Sequence, residues 1–488
     1  MSFVTRRLAR AIPATPLERQ AALWSFAYFF MLLAGYYVLR PLRDEMAIAG
    51  GLRALPWTVT AIFLTLLVAQ PIYGALVARL PRARFIPIVY HFFALNLVAF
   101  WLALTLGIGT VTVARIFFIW VGVFNLFAVA VFWSFMADLF TSEQGKRLFG
   151  FIGAGGTAGG LLGPIITIGL SVRLGPTNLL LIAGLFLELA VFCVYRLERT
   201  TRAQGGPQPE TRQLGGGAFA AIPELIRSPY LIGVAVWVSL MSFCATILYL
   251  EQAHIVAAMV HGAGAQTRFF ASIDLAVGIL TLATQTFVTA SLLKRISTGT
   301  AAAALPAVYI VGFAVLTIVP GLAVVMVTQI VQRWAHFAIT NPARQIFYTV
   351  LGREEKYKAK NLIDVVVYRG SDAAYTWVYD SLQLLGLKLG AIALCALPVA
   401  GAWLVLSLAL GRERRNTGRR GWPPQRWRKE IEHGASHPPR FRRAGGRHAA
   451  GPAHAGARRR WTADHARDSQ YGRAAAGGRS RHLASLQQ

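Results

Sequence analysis

Acidic residues are scarce in this chain: 21 Asp and Glu among 488 residues, against 49 Lys and Arg. Charge of either sign is thin, at 14% of residues, where soluble domains carry about 25%. Hydrophobic residues make up 55% and the mean hydropathy is +0.50, which excludes a disordered chain and an ordinary soluble enzyme. Cysteine is nearly missing as well. Cys193, Cys244 and Cys395 each lie inside an apolar run with no paired spacing of the metal or redox kind. A disulfide scaffold is therefore excluded, no metal or cofactor is expected, and all three cysteines are expected as small buried apolar residues. A removable leader is missing too: the basic start (Arg6, Arg7, Arg10, Arg19) runs into an apolar stretch with no small-residue cleavage site behind it, so this stretch reads as a membrane span.

Long apolar runs account for most of what is present. A window of about 19 residues predicts twelve spans, at 21–39, 56–78, 85–105, 115–138, 148–171, 177–195, 229–250, 269–293, 301–318, 321–340, 361–385 and 389–410. Spans of this length must be helical, because hydrocarbon offers no partner for a backbone N–H or C=O. They fall into two groups of six, 21–195 and 229–410, behind a short segment 1–20. The groups are separated by a linker at 196–228 holding Gly205, Gly206, Pro207, Pro209 and Gly215 to Gly217. With the N-terminus placed inside, 21 basic residues of the body fall in cytoplasmic segments and six fall outside (Arg40, Arg43, Arg53, Arg173, Arg268, Lys388). That asymmetry puts both termini and the linker in the cytoplasm.

Residues 411–488 form a different object. From 412 onward they hold 19 Lys and Arg against five Asp and Glu, half of the net +28, with no apolar periodicity. Such a segment cannot bury a core and is expected to be disordered. It suits anionic cytoplasmic lipid, a nucleic-acid arm or a stretch without selected function. Its sparse aromatics (Trp422, Trp427, Phe441, Trp461, Tyr471) disfavour specific nucleic-acid binding.

Six helices, a cytoplasmic linker and six more make up the plan of the major facilitator superfamily, and two local patterns resemble its motifs. Gly74, Leu76, Arg79 and Arg82 follow that superfamily's loop pattern after the second helix, with Ala78 in place of the acid and Pro81 in place of the second glycine. Gly153, Gly155, Gly156, Gly159, Gly160, Gly163 and Pro164 resemble the glycine-proline motif of its fifth helix. Small residues at helical spacing let two helices approach closely, as a packing seam or as a sliding surface. The run disfavours a phosphate cradle, which needs a preceding strand and a lysine at fixed spacing, neither of which is present.

Ionisable residues inside spans are costly and mark candidate sites. In the eleventh span Tyr368, Asp372, Tyr375 and Tyr379 share one stripe that Asp364 continues, and Arg369 stands three residues from Asp372. The stripe is either a locking salt bridge or the wall of a polar cavity in which tyrosines stack on a flat ligand. In the tenth span Arg333 either binds an anion or snorkels to the interface. His336 reads as an interface residue, and Asn341-Pro342 is expected to break the helix. Glu188 lacks a partner on its own helix, so it is expected to bond an adjacent one or to carry a proton; Asp274 is similarly open. The densest cluster runs from Tyr36 and Tyr37 through Arg40, Pro41, Arg43, Asp44 and Glu45, where the first helix is expected to stop at Pro41 and unwind. Two arginines among aromatics suit a phosphorylated aromatic ligand or an interfacial anchor belt. Arg40, Asp44, Glu45, Asp138, Lys146, Arg147, Asp364 and Asp372 are candidates for gating ion pairs.

Three blocks together are similar to the ATP/ADP translocase family of plastids and intracellular bacteria. They are Tyr37-Val38-Leu39-Arg40 through Arg43-Asp44; Phe132-Trp133-Ser134-Phe135, Thr141 and Lys146-Arg147; and Lys356, Lys358, Lys360 with Ile363-Asp364. The fourth span departs from the family, with Ile119 to Phe124 where an early acid is usual, and Arg43 replaces the usual lysine. The resemblance implies an all-α membrane protein of the major facilitator type, with Arg43 and Lys360 on a nucleotide phosphate and Lys356 and Lys358 adding positive charge at the mouth. The expectation is a monomeric secondary transporter, not an enzyme. It would move a nucleotide or related organic phosphate across a bacterial inner membrane by alternating access, with Arg333, Arg369 and the tyrosine stripe completing the site. The alternatives are a proton-coupled carrier of another solute, in which Glu188 or Asp274 titrates, and a non-transporting membrane scaffold.

Overall fold

The computed structural model describes residues 15–79, 82–202, 225–226, 228–351, 359–360 and 362–420. Among them every regular element is a helix. The first group is α1 (Pro16–Ala49), α2 (Leu55–Arg79), α3 (Arg82–Thr105), α4 (Thr110–Leu139), α5 (Ser142–Leu170) and α6 (Leu179–Arg202). The second is α7 (Pro229–Met259), α8 (Ala263–Phe287), α9 (Thr298–Ile318), α10 (Leu322–Ala335), α11 (Tyr368–Leu384) and α12 (Leu389–Arg420). Among the described residues, 11 helices are long and apolar enough to cross a membrane. The remaining one, α11, is 17 residues long and carries Arg369, Asp372 and Asp380.

Helix starts follow local chemistry. Thr15 and Glu18 cap each other at the head of α1, and Thr141 and Gln144 do the same for α5, each box satisfying two backbone donors that the helix leaves free. Ser228 caps α7, with Pro229 in the first turn where its missing N–H costs nothing.

Two expected breaks do not occur. Pro41 lies inside α1, which runs unbroken to Ala49, because packed helices around it tolerate one lost backbone hydrogen bond. Arg40, Arg43, Asp44 and Glu45 are thereby held inside the protein instead of at an unwound edge. Pro342 does not end the tenth helix either. The chain widens into a π turn, His336–Thr340, and resumes as Asn341–Phe347 with the proline in its first turn. At the far end, α12 continues through residues assigned to the disordered tail, and Arg414 donates to the Ile346 carbonyl and to Thr298. Residues 421–488 and most of the linker lie outside the described residues. Cys193 and Cys244 are buried as expected, but Cys395 is exposed; on a helix whose outer face meets lipid, an apolar side chain gains nothing by turning inward.

Each group has its own apolar core. One is built from α1 and α3 to α6, with Phe29 stacked on Phe132 at 4.1 Å and Trp120 on Phe124 at 5.3 Å. The other joins α7 and α9 to α12 around Trp237, Trp403 and Tyr309, and takes in Leu55, Ile62, Leu66 and Phe118 from the first group. The glycine run of α5 resolves as a seam against α1. A Cβ on Gly155 would meet the Phe26 carbonyl at 2.5 Å, and one on Gly163 would meet Tyr37 Cβ at 2.7 Å. The Phe132 to Phe135 block packs α4 on α1, and Thr141 is the cap of α5, so these residues serve the scaffold.

Candidate substrate cavity

The two bundles meet along α1–α7, α2–α11, α1–α8 and α5–α8. The Trp57 ring stands edge-on to Trp377 at 4.8 Å, and Trp377 Nε1–H donates to Thr60 at 3.1 Å. Tyr249 donates to Asp44 at 3.3 Å. These braces all lie toward the α1–α2 turn. Between the bundles, with Asp44 and Tyr249 in its wall, sits a cavity of about 380 Å³, within the usual range for small-molecule sites.

Its charged lining comes from both bundles: Arg40, Arg43 and Asp44 of α1, Arg333 of α10, and Arg369 and Asp372 of α11. Tyr36, Tyr249, Tyr309 and Tyr368 supply ring faces, and Asn125, Gln252, Gln329 and Gln332 supply amides. Asp274 of α8 is the hub. Its side chain is 1% exposed and lies 2.5 Å from Arg333 Nη2 and 3.7 Å from Arg40 Nη1, joining the two bundles through one carboxylate. Arg43 reaches Asp44 at 2.6 Å, and Arg369 reaches Asp372 at 3.8 Å. Thr246 of α7 donates to Asp372 at 2.7 Å. Four arginines against Asp44, Asp274 and Asp372 leave one formal positive charge in excess. The Nε atoms of Arg40 and Arg333 have no hydrogen-bond partner among the described residues, so donors remain for an incoming anion. Tyr309 donates to Gln332 at 2.9 Å and Gln332 to Gln329 at 2.7 Å, which fixes the amide wall.

The eleventh-helix stripe divides. Tyr368, Arg369 and Asp372 line the cavity, whereas Tyr375 bonds Ser239 at 2.8 Å and Tyr379 packs on His254 with its ring 2% exposed. Asp364 pairs with Arg344 at 3.4 Å. The cause is the π turn Leu362–Val367, which winds more residues per turn than an α-helix and rotates Asp364 off the face that Asp372 presents. His336 lines the cavity. Glu188 bonds His91 of α3 at 3.0 Å, the adjacent-helix partner expected for it.

Lys360 is half-buried and is not among the lining residues. Lys356 and Lys358 lie outside the described residues. Lys146 stands in the second turn of α5, Arg147 pairs with Glu18 at 3.4 Å, and Asp138 sits in the last turn of α4. Glu45 is 4% exposed and does not line the cavity. Sequence reasoning missed Glu251, whose two carboxylate oxygens are buried without a hydrogen-bond partner among the described residues. The expected seventh span stopped one residue short of it, while α7 runs on to Met259. It also missed Gln329 and Gln332, whose spacing of three on a helix carrying Arg333 was the available signal.

No protein-family model matches the chain, and no curated protein matches it. Solved structures do. A bacterial homologue of the iron transporter ferroportin, in an inward-facing state, superposes with a TM-score of 0.58 at 11% identity, covering 84% of this chain and 100% of its own. The nucleoside transporter NupG gives 0.57 at 13%, covering 81% and 99%. A bacterial homologue of the human lysosomal transporter Spinster, inward-facing and unoccupied, gives 0.53 at 14%, covering 84% and 100%. At these identities the likeness is one of fold: the chain has the major facilitator fold of an all-α, multi-pass membrane protein.

Proposed function

We propose that the chain is a secondary transporter that moves an anionic organic solute, a nucleotide or related organic phosphate, by alternating access of the two bundles around the central cavity. The observation that carries this reading is the convergence of Arg40 and Arg43 from one bundle with Arg333 and Arg369 from the other on a single tyrosine-lined cavity. Guanidinium forks match phosphate oxygens, and tyrosine rings offer stacking faces to a base. An anion entering there competes with Asp274 for Arg40 and Arg333, so occupancy loosens a tie between the bundles. That coupling of binding to reorientation is what exchange requires. The resemblance to ATP/ADP translocases makes ATP and ADP the first solutes to test. In this reading no covalent chemistry is involved, the monomer is the working unit, and the excess of basic residues in alternate loops favours both termini in the cytoplasm of a bacterial inner membrane bearing anionic lipid.

Counterflow uptake of labelled ATP into proteoliposomes preloaded with ADP tests transport and solute together. Uptake abolished by Arg43→Ala and Arg333→Ala is expected, with nucleosides as uncharged controls. Absence of both uptake and thermal stabilisation by any phosphate overturns the reading. A proton-coupled carrier is the second reading, favoured by the buried Glu251 rather than by Glu188 or Asp274, which have partners. It requires that uptake follow an imposed pH gradient and that Glu251→Gln abolish that dependence.

A further inference from the structure

The central cavity does not stop at the arginines. A second space of about 310 Å³ shares Arg333 and Phe337 with it, has Asp274 in its own wall, and extends between α1 and α5 of one bundle and α8 and α10 of the other. Its character is different. Phe29, Leu33, Leu161, Val277 and Leu282 dominate its walls; Gly153, where an added Cβ would meet nothing within 4 Å, leaves part of one wall without a side chain, and Gly156 and Gly160 let α5 close on Phe29 and Tyr37 of α1. At its mouth Leu282 is 40% exposed, beside Ile279 at 53% and Leu280 at 43%. In a membrane-spanning helix such residues face lipid, so the cleft opens sideways into the acyl region of the bilayer. A polar chamber with excess positive charge and an apolar cleft open to lipid thus meet at one guanidinium.

We propose that the cleft is an acyl-chain subsite, and that the solute carried is an anionic organic phosphate bearing an acyl chain, which enters laterally from the bilayer. This rests on the anion-binding reading of the central cavity and deepens it. The phosphate docks among Arg40, Arg333 and the neighbouring donors, and the chain lies along the glycine face of α5. A free nucleotide has no group to fill the cleft, whereas an acyl chain removes its apolar wall from any water admitted through the cavity. The same geometry explains why α5 keeps Gly153, around which a Cβ would find nothing within 4 Å. Unlike Gly155, Gly159 and Gly163, this glycine is not required by the seam with α1.

The test uses the full chain in detergent with two probes, glycerol 3-phosphate and 1-dodecanoyl-glycerol 3-phosphate, and a dodecanoyl phosphocholine as the chain without net charge. The acylated phosphate is expected to bind at least about tenfold more tightly than glycerol 3-phosphate, from the methylenes it buries, and more tightly than the phosphocholine. Gly153→Phe and, as a second plug at the exposed mouth, Thr157→Trp are expected to abolish that gain while glycerol 3-phosphate still binds. Gly169→Phe, on the lipid-facing side of the same helix where a Cβ also meets nothing within 4 Å, keeps the gain. Equal binding of the two phosphates overturns the proposal and leaves the anion site standing. A gain that survives both plugs also overturns it, since the chain then binds elsewhere. If neither phosphate nor ATP binds, the anion-site reading falls with it.

Discussion

Replacing Asp274 by Asn separates stability from affinity in a way that follows directly from the hub geometry. The carboxylate is 1% exposed and serves Arg333 at 2.5 Å and Arg40 at 3.7 Å, whose side chains are 16% and 17% exposed at the cavity wall. Removing one partner of a buried ion pair costs about 3–5 kcal/mol, because the charge left behind stays desolvated. Here both arginines border the cavity and water takes part of their charge, so the lower end applies, about 3 kcal/mol. At roughly 2 °C per kcal/mol for a large domain, the melting temperature in detergent is expected to fall by about 6 °C. The double variant Asp274→Asn/Arg333→Gln should recover part of that loss, with a coupling energy of about 1–3 kcal/mol. Anion affinity moves the other way. With Asp274 neutral, Arg40 and Arg333 no longer have an internal carboxylate to satisfy, and a phosphate probe in isothermal titration should bind about tenfold more tightly, equivalent to about 1.4 kcal/mol. Arg40→Gln, by contrast, weakens the probe. A melting temperature unchanged within about 1 °C would refute the hub's structural role, and weaker phosphate binding by Asp274→Asn would refute the competition between Asp274 and the anion.

Four further substitutions probe the scaffold. Gly163→Leu forces a side chain against Tyr37 Cβ and the Ala34 carbonyl, at 2.7 and 2.8 Å from the added Cβ, and is expected to cost at least about 3 kcal/mol by prising α1 from α5. Gly153→Ala on the same helix should be neutral or gain up to about 1 kcal/mol in helix propensity; thermal melts of the pair check both. Ser407→Ala removes the acceptor 2.8 Å from the buried Trp237 indole N–H, with an expected loss of about 1–3 kcal/mol in chemical unfolding. Glu188→Gln breaks a pair with His91 whose side chains are 44% and 49% exposed, and should change stability by less than about 1 kcal/mol; a larger loss would mean that this face is covered.

Local patterns proved legible where the physics is local. The capping boxes at Thr15 and Thr141 are written in the sequence as Thr-x-x-Glu and Thr-x-x-Gln, and they start α1 at Pro16 and α5 at Ser142, ahead of the spans expected from apolarity alone at 21 and 148. The prolines misled because their effect depends on surroundings. Pro41 is carried through α1 by its neighbours, while Pro342 fits the first turn after a π segment that no composition rule announces. The tyrosine row of the eleventh span failed for the same kind of reason: one wide turn changes the phase of Asp364, which meets Arg344, while Tyr379, two turns beyond Asp372 on the regular helix, packs on His254 away from the cavity. Of the cluster at the end of α1, the residue types pointed to an anion, but burial of Asp44 and the bond it accepts from Tyr249 depend on a helix of the other bundle.

By itself the amino-acid order determined that this chain lives in a membrane as two groups of helices. Long apolar stretches with no polar partner for their backbones can satisfy N–H and C=O groups only as helices, and 11 such helices are present among the described residues. Only the tertiary structure decided which charges meet. Asp274 was one ambiguous acid in the sequence; packing of α8 against α1 and α10 made it the carboxylate shared by Arg40 and Arg333 and part of the wall of the second cavity. Such a meeting depends on helix rotation and crossing, set by close contacts such as those at Gly155 and Gly163, and these are properties of surfaces in contact that no single segment carries.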